Sequence, residues 1–187
     1  MHDLAPLTAL GGAEPRTDRA GALTLTEVPD VTVAGLAARR GRGDDARAAV
    51  ERLTGAPAPG PGHWAGGPVR AIWSAPDRWL IEAPESRHPA LAAVAKDAAG
   101  DAAAVTEETD AHARFDLAGP ADAVVAAMER LCALDVETMA PGTAARTRLH
   151  HVAAILLRTD DGMTVLAPRA YAGSAHHDLL GAMRSLP

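Results

Sequence analysis

The segment Ala71-Ile72-Trp73-Ser74-Ala75-Pro76-Asp77-Arg78-Trp79-Leu80-Ile81-Glu82 constrains the fold of this chain more than any other. Two of the three tryptophans flank a Ser-Ala-Pro-Asp-Arg stretch, with short apolar runs on both sides. Proline presets φ and Asp can bond its own backbone, so the stretch reads as a turn. The pattern predicts a β-hairpin with a longer loop, its strands near Val69–Trp73 and Trp79–Glu82. Trp73 and Trp79 are expected to be packing residues near the closed end and not ligand contacts.

The remaining elements follow from periodicity and punctuation. Leu23-Thr-Leu-Thr-Glu-Val28 alternates as a strand and ends at Pro29-Asp30. Val31 to Ala38 reads as a second strand. Gly41-Arg42-Gly43 is a turn, after which Asp44 or Asp45 is a natural N-cap for a helix carrying Ala46, Val50 and Leu53. The Pro/Gly-rich stretch from Gly55 to Pro68 reads as a loop without regular structure. A helix is expected from about Ser86 to Ala99, striped by Leu91, Val94 and Ala98 and closed by Gly100. A short strand follows at Ala102–Thr106. Ala111, Ala113, Phe115 and Leu117 alternate with His112, Arg114 and Asp116, the cleanest half-buried strand in the chain. Gly119-Pro120 opens a helix reaching Leu134. A long strand, Ala145–Arg158, pairs with Met163–Ala167 across Thr159-Asp160-Asp161-Gly162, and a last helix runs from Ser174 to Ser185.

This order predicts an α+β fold: two ferredoxin-like split βαβ units in tandem, over roughly 31–107 and 111–185. No strand clearly follows the last helix, so the second pass is incomplete. The expected organisation is an irregular N-terminal arm, 1–21, and a single globular domain, 22–187, made of halves at about 22–107 and 108–187. In the arm, Leu4, Leu7 and Leu10 sit among Gly, Pro and charge, which predicts ordering only on assembly with a partner.

Composition excludes several classes of function. The chain has 187 residues, enough for one well-packed domain or two small ones sharing a sheet. A formal net charge of −6 argues against nucleic acid as a partner, because phosphate binding needs a positive field. One cysteine, Cys132, precludes an intrachain disulfide and fits a reducing compartment. No apolar run is long enough for a transmembrane helix, and the first residues lack a basic and an apolar signal region, so the expected location is cytoplasmic and away from membranes.

Residues capable of chemistry are present without a pattern that organises them. The eight histidines include no H-x-x-x-H pair and read as surface residues, with no metal site expected. Adjacent His150 and His151 point to opposite faces of a strand. Cys132, on the helix that follows Pro120, reads as a buried small hydrophobe. Gly41-Arg42-Gly43-Asp44 is neither a dinucleotide fingerprint nor a P-loop, and its Asp residues repel phosphate. Glu107, Glu108 and Asp110 read as a solvated turn, not an acid/base pair. Arg146, Arg148 and His150 form a basic stripe with Leu149, Ala153, Ile155 and Leu157 on the opposite face. That stripe is either solvated or grips an acidic surface or a polyanionic tail such as a folate glutamate chain. The expectation is a protein with no catalytic, cofactor-binding or metal residues of its own.

Four segments resemble the gamma subunit of heterotetrameric sarcosine oxidase. Leu4-Ala5-Pro6-Leu7 is similar to that family's N-terminal S/A-P-L arm, and Trp73–Leu80 to its W-x-x-P-[DE]-x-W-L hairpin. Thr109-Asp110-Ala111-His112-Ala113-Arg114-Phe115, closed by Gly119-Pro120, resembles its D-x-S-H/D-A-R segment. Ala140-Pro141-Gly142-Thr143-Ala144-Ala145-Arg146-Thr147 resembles its F-x-P-G-x-x-x-x-T segment, with Met139-Ala140 replacing the aromatic lead-in. The resemblance implies a fold like the folate-binding region of the glycine-cleavage aminomethyltransferase. It implies a structural subunit of a complex whose alpha and beta subunits, with a small delta subunit, hold FAD, FMN, NAD and tetrahydrofolate. Leu4, Pro6, Leu7, Arg146 and Arg148 are then candidate interface residues. The alternatives are a gamma-type subunit of a related N-methyl amino acid dehydrogenase, a free-standing folate-binding one-carbon transfer protein, or an orphan α+β module.

Overall fold

The computed structural model describes residues 6–187. In chain order its first elements are β1 (Thr17–Ala20), β2 (Leu23–Glu27), β3 (Thr32–Ala38), α1 (Gly43–Thr54), β4 (Trp64–Gly66), β5 (Arg70–Ala75) and β6 (Arg78–Ala83). There follow α2 (Leu91–Ala99), β7 (Ala103–Glu107), β8 (His112–Ala118), α3 (Ala121–Glu129), β9 (Ala144–Leu149), β10 (Val152–Thr159), β11 (Gly162–Pro168) and α4 (Ala172–Arg184). These form an α+β protein with two antiparallel sheets that fall into two compact units. One unit is nearly continuous in sequence, Asp30–Thr109 with Gly142–Ala144; the other combines the residues as far as Pro29 with Asp110–Pro141 and Ala145–Pro187.

The continuous unit has the strand order β4-β5-β6-β3-β7. Taking β3, β5, β6 and β7 as strands one to four, the order 2-3-1-4 is the split βαβ arrangement, with β4 added at one edge. Its apolar face carries Ala34, Leu36, Ala71, Trp79 and Ile81, packed with Val50 of α1 and Leu91 and Ala95 of α2. Trp79 is 1% exposed, and its indole N–H donates to the Pro59 carbonyl at 2.9 Å, which satisfies its one polar atom. Trp73 lies directly opposite Trp79 and packs against the same cluster. Arg70 faces Glu82 across the strands at 2.7 Å and lies 5.4 Å from the Trp64 ring centroid, tying β4, β5 and β6 together.

The other unit has the order β1-β2-β8-β11-β10-β9. Here β8, β10 and β11 occupy the places of strands one, two and three. The fourth place, beside strand one, is filled by β2 from the opposite end of the chain. Thr24 pairs with Ala118 and Glu27 with Phe115. This resolves the missing strand after the last helix. Leu23 and Leu25 join Phe115, Leu117, Leu156 and Val165 under Val124 and Met128 of α3 and Leu179 and Met183 of α4. Gly162 closes the β10–β11 hairpin at φ 157°, where an added Cβ would lie 2.0 Å from the Leu117 carbonyl oxygen, so only glycine fits.

Several expectations need correction. The boundary 22–107 fails because β2 pairs with β8 and not with β3. The 1–21 arm is not irregular throughout: Thr17–Ala20 forms β1 on β2. The Gly55–Pro68 loop contains β4, whose Trp64 pairs with Ile72. The Trp hairpin loop is shorter than expected: a bulge between Trp73 and Ala75 leaves the tight turn Pro76-Asp77, with Asp77 at φ 54°. α1 has Arg42 at its N-cap with no side-chain cap, and Asp44 and Asp45 sit in its first turn, near the positive end of the dipole. α2 begins at Leu91 because Pro89 disfavours helix at the residue before it. Its buried residues are Leu91, Ala95 and Ala99, while Val94 is exposed. α3 ends at Glu129, before Cys132. The long strand folds back at His150-His151 into β9 and β10.

Candidate interaction surface

In the edge strand β9, exposed Arg146 and Arg148 alternate with half-buried Ala145 and Thr147, and Ala144 and Leu149 are buried at its two ends. Charged side chains on an edge strand also discourage edge-to-edge pairing. Because the chain reverses at His150, β10 lies beside β9 and the expected apolar face opposite the arginines is not opposite. Arg146 shares a pocket of about 200 Å³ with Ala153 and Ile155 of β10, Leu166 and Pro168 of β11, and His112 of β8. Ile155 and Leu166 are 9% and 1% exposed, so the floor is apolar and closed. Among the described residues, Arg146 and Arg148 have no hydrogen-bond or ion-pair partner.

One N-terminal candidate, Leu7, is tied to the segment that leaves this pocket at Pro168. Arg169 follows Pro168 and donates from Nη2 to the Leu7 carbonyl oxygen at 3.2 Å. Pro6 and Leu7 are exposed, Leu7 at 57%. Leu4 lies outside the described residues. Tyr171, two residues past Arg169, is also 57% exposed, a signal that sequence reading passed over.

From Thr8 onward the arm is fastened to its own unit. Thr8 and Gly12 close a turn, and Ala9 and Leu10 pack against the Phe115 core. The Glu27 carboxylate, 3% exposed, accepts the Leu10 N–H at 2.9 Å and the Arg16 N–H at 3.2 Å. Ordering only on assembly therefore does not describe Leu10. Arg16 bonds Asp18 at 2.8 Å, and Asp18 also accepts from Nε2 of His176 at 2.8 Å. The Arg16 guanidinium holds the Asp18 carboxyl below its ordinary range, with His176 adding to the effect and burial opposing it.

His176 is 7% exposed and 6.0 Å from Phe115 between ring centroids, so the surface reading of the histidines fails for it. His150 is also structural: its N–H donates to Leu131 O, its Nε2 to Arg130 O, and its φ is 50°. Those contacts satisfy carbonyls just past the end of α3. Two broader depressions meet at Arg130, Leu131 and His150, of about 630 and 470 Å³. Cys132 is half-buried, with Sγ 3.4 Å from Met128 O. In the other unit, Glu107 and Asp110 are exposed, while Glu108 is half-buried, accepts from the Thr106 hydroxyl and lies where a Cβ on Gly35 would be. Among the described residues no group of three His, Cys, Asp or Glu can hold a metal ion, and no helix is long and apolar enough to cross a membrane.

The fold has solved counterparts. A chain of the heterotetrameric sarcosine oxidase from Corynebacterium sp. U-96, determined in complex with pyrrole 2-carboxylate, is 27% identical with a TM-score of 0.75. The match covers 91% of this chain and 89% of that one. The glycine cleavage system aminomethyltransferase T from Bartonella henselae is 16% identical with a TM-score of 0.64. That match covers 88% of this chain and 47% of the transferase, so this chain spans about half its length and shares its fold. No protein-family model matches the sequence, and no curated protein matches it. The resemblance to a heterotetrameric sarcosine oxidase chain thus holds across both units.

Proposed function

We propose that this chain is a structural, gamma-type subunit of a flavin-dependent heterotetrameric sarcosine oxidase. In this reading it serves sarcosine catabolism, in which the whole complex converts sarcosine to glycine and passes the one-carbon unit to tetrahydrofolate. The observation that carries the reading is the end-to-end likeness of both units to one chain of such an oxidase. FAD, FMN, NAD and tetrahydrofolate belong to the alpha and beta subunits, and this chain supports them from a soluble cytoplasmic complex. Its surface at Pro6, Leu7, Arg146 and Arg148 contacts those partners, with Leu4 a candidate from the resemblance alone.

The aminomethyltransferase fold raises folate as a ligand of this chain itself. A pterin ring needs a site several hundred Å³ in volume with flat apolar or aromatic walls. The pocket at Arg146 is about 200 Å³, and neither it nor the two depressions at His150 is lined by Phe, Tyr or Trp. The residues there do not fit the group, and no folate chemistry is assigned to them.

The test is co-expression of the tagged chain with sarcosine oxidase alpha and beta subunits. The expected result is a stoichiometric complex with sarcosine-dependent peroxide production, while the chain purified alone is colourless and inactive. A flavin absorption band or turnover in the lone chain would overturn the assignment.

A further inference from the structure

We propose that the Arg146 pocket receives an acidic side chain of a partner subunit, with Leu7 and Tyr171 as apolar anchors beside it. The inference rests on the subunit reading and names the chemistry of the contact. Size decides the class of occupant. About 200 Å³ is below the range of cofactor and drug-sized sites, and suits a single inserted side chain. Charge decides its sign. Arg146 brings a guanidinium with no ion partner among the described residues to an apolar floor of Ile155, Leu166 and Pro168. A planar fork beside a low-dielectric wall favours a two-pronged bond to a carboxylate. Arg169, which follows Pro168, keeps the nearby surface basic while its Nη2 holds the Leu7 carbonyl.

The surrounding surface supports a macromolecular occupant. Leu7 and Tyr171 are two of the three large apolar residues that the described chain exposes. The chain's one tyrosine thus stands on the surface instead of in an aromatic-poor core. Tyr and Arg are the residue types enriched at interface centres. The chain as a whole carries a net charge of −6, so an acidic partner surface is better received at a local basic spot than on the average surface. Such a spot fixes register and orientation more than it adds affinity.

The experiment uses the full chain co-expressed with the flavoprotein subunits, with Arg146→Glu, Arg146→Lys, Leu7→Ser, Tyr171→Ser and a control, Arg184→Glu. Arg146→Glu is expected to reduce recovery of the partners about tenfold or more, Arg146→Lys less, and the Leu7 and Tyr171 changes several-fold. The control leaves recovery unchanged, and the melting midpoint of each isolated variant stays at the wild-type value. Capture by the wild type and Arg146→Glu alike overturns the pocket assignment alone. Failure of the wild type to capture either subunit overturns the subunit reading, and this inference with it. Perturbation of His112 resonances by millimolar glutarate, with Arg146→Glu assembling normally, would assign the pocket to a free small carboxylate and overturn the partner assignment.

Discussion

The two units use one strand arrangement and build it in opposite ways. In the continuous unit, β3, β5, β6 and β7 come from one stretch, and the two helices sit between the strands they connect. In the other, the strand beside β8 is β2, separated from it in sequence by the entire continuous unit. The same pattern is closed locally in one case and by the chain terminus in the other. The difference shows in the polar contacts. The continuous unit holds its register with the cross-strand pair Arg70–Glu82. The composite unit closes its borrowed segment on itself with Glu27 on two backbone N–H groups and fastens it to α4 through Asp18, which accepts from His176.

Separating the segments is the strongest test of this contrast. Residues 30–109 alone are expected to melt cooperatively, whereas residues 110–187 alone are not, and a peptide of residues 8–29 restores cooperative melting to the latter. Circular dichroism on the fragments and the mixture reads the outcome. A cooperatively folded 110–187 fragment would make β2 dispensable and end the comparison.

Next in size are the two core aromatics. Trp79→Ala and Phe115→Ala are each expected to cost about 3–5 kcal/mol in urea titrations. The Trp79 change also strips the Pro59 carbonyl of its donor. A cost below about 1 kcal/mol at either site would place that residue outside the core that organises its unit.

Glu27→Ala is expected to cost about 1–3 kcal/mol, since two backbone donors lose a buried acceptor. Hydrogen exchange should accelerate at the Leu10 and Arg16 amides and stay unchanged at Thr106 in the other unit. Equal acceleration in both units would show a global loss and not a loosened clasp.

The smallest effect is acid sensitivity. Asp18 is held below its ordinary range chiefly by the Arg16 hydrogen bond. Its contribution is therefore complete above the unfolded value, about 3.9, and is lost as pH falls through the lower folded value. The stability difference between wild type and Asp18→Asn should shrink on acidification. Asp30 in the continuous unit is lowered by the Ser86 N–H and hydroxyl, so Asp30→Asn should follow the same trend, more weakly because the group is exposed. A difference that grows in acid would contradict both assignments.

What the sequence disclosed depended on distance. The alternation at Ala111–Leu117 predicted β8 because burial on a strand repeats every second residue, and Phe115 and Leu117 are indeed buried. The tryptophan pair predicted its hairpin because the turn chemistry is local. The partner of β2 was hidden, since its alternation says which face is buried and not which strand lies beside it. The same parity places Glu27 in phase with Leu23 and Leu25, a signal that could have marked a buried carboxylate. The turn at His150-His151 contains no Gly, Pro, Asn or Asp, so nothing distinguished it from strand. That turn brings Ile155 beside Arg146. The arginines were therefore legible as a stripe, and the pocket they help form was not. The pairing of Asp18 with His176 spans most of the chain and leaves no local trace.

The borrowed strand also has a consequence in time. β2 leaves the ribosome about 90 residues before the Phe115 strand it must pair with. At translation rates of roughly 5–20 residues per second, it waits on the order of 5–20 s with Leu23 and Leu25 uncovered. For nearly all of that wait the continuous unit is itself still emerging, since its last strand, β7, ends at Glu107, just ahead of Phe115. The newborn chain thus carries a loose, sticky strand while the unit between it and its partner strand is still being made, a window in which a chaperone's hold on Leu23 and Leu25 would matter most.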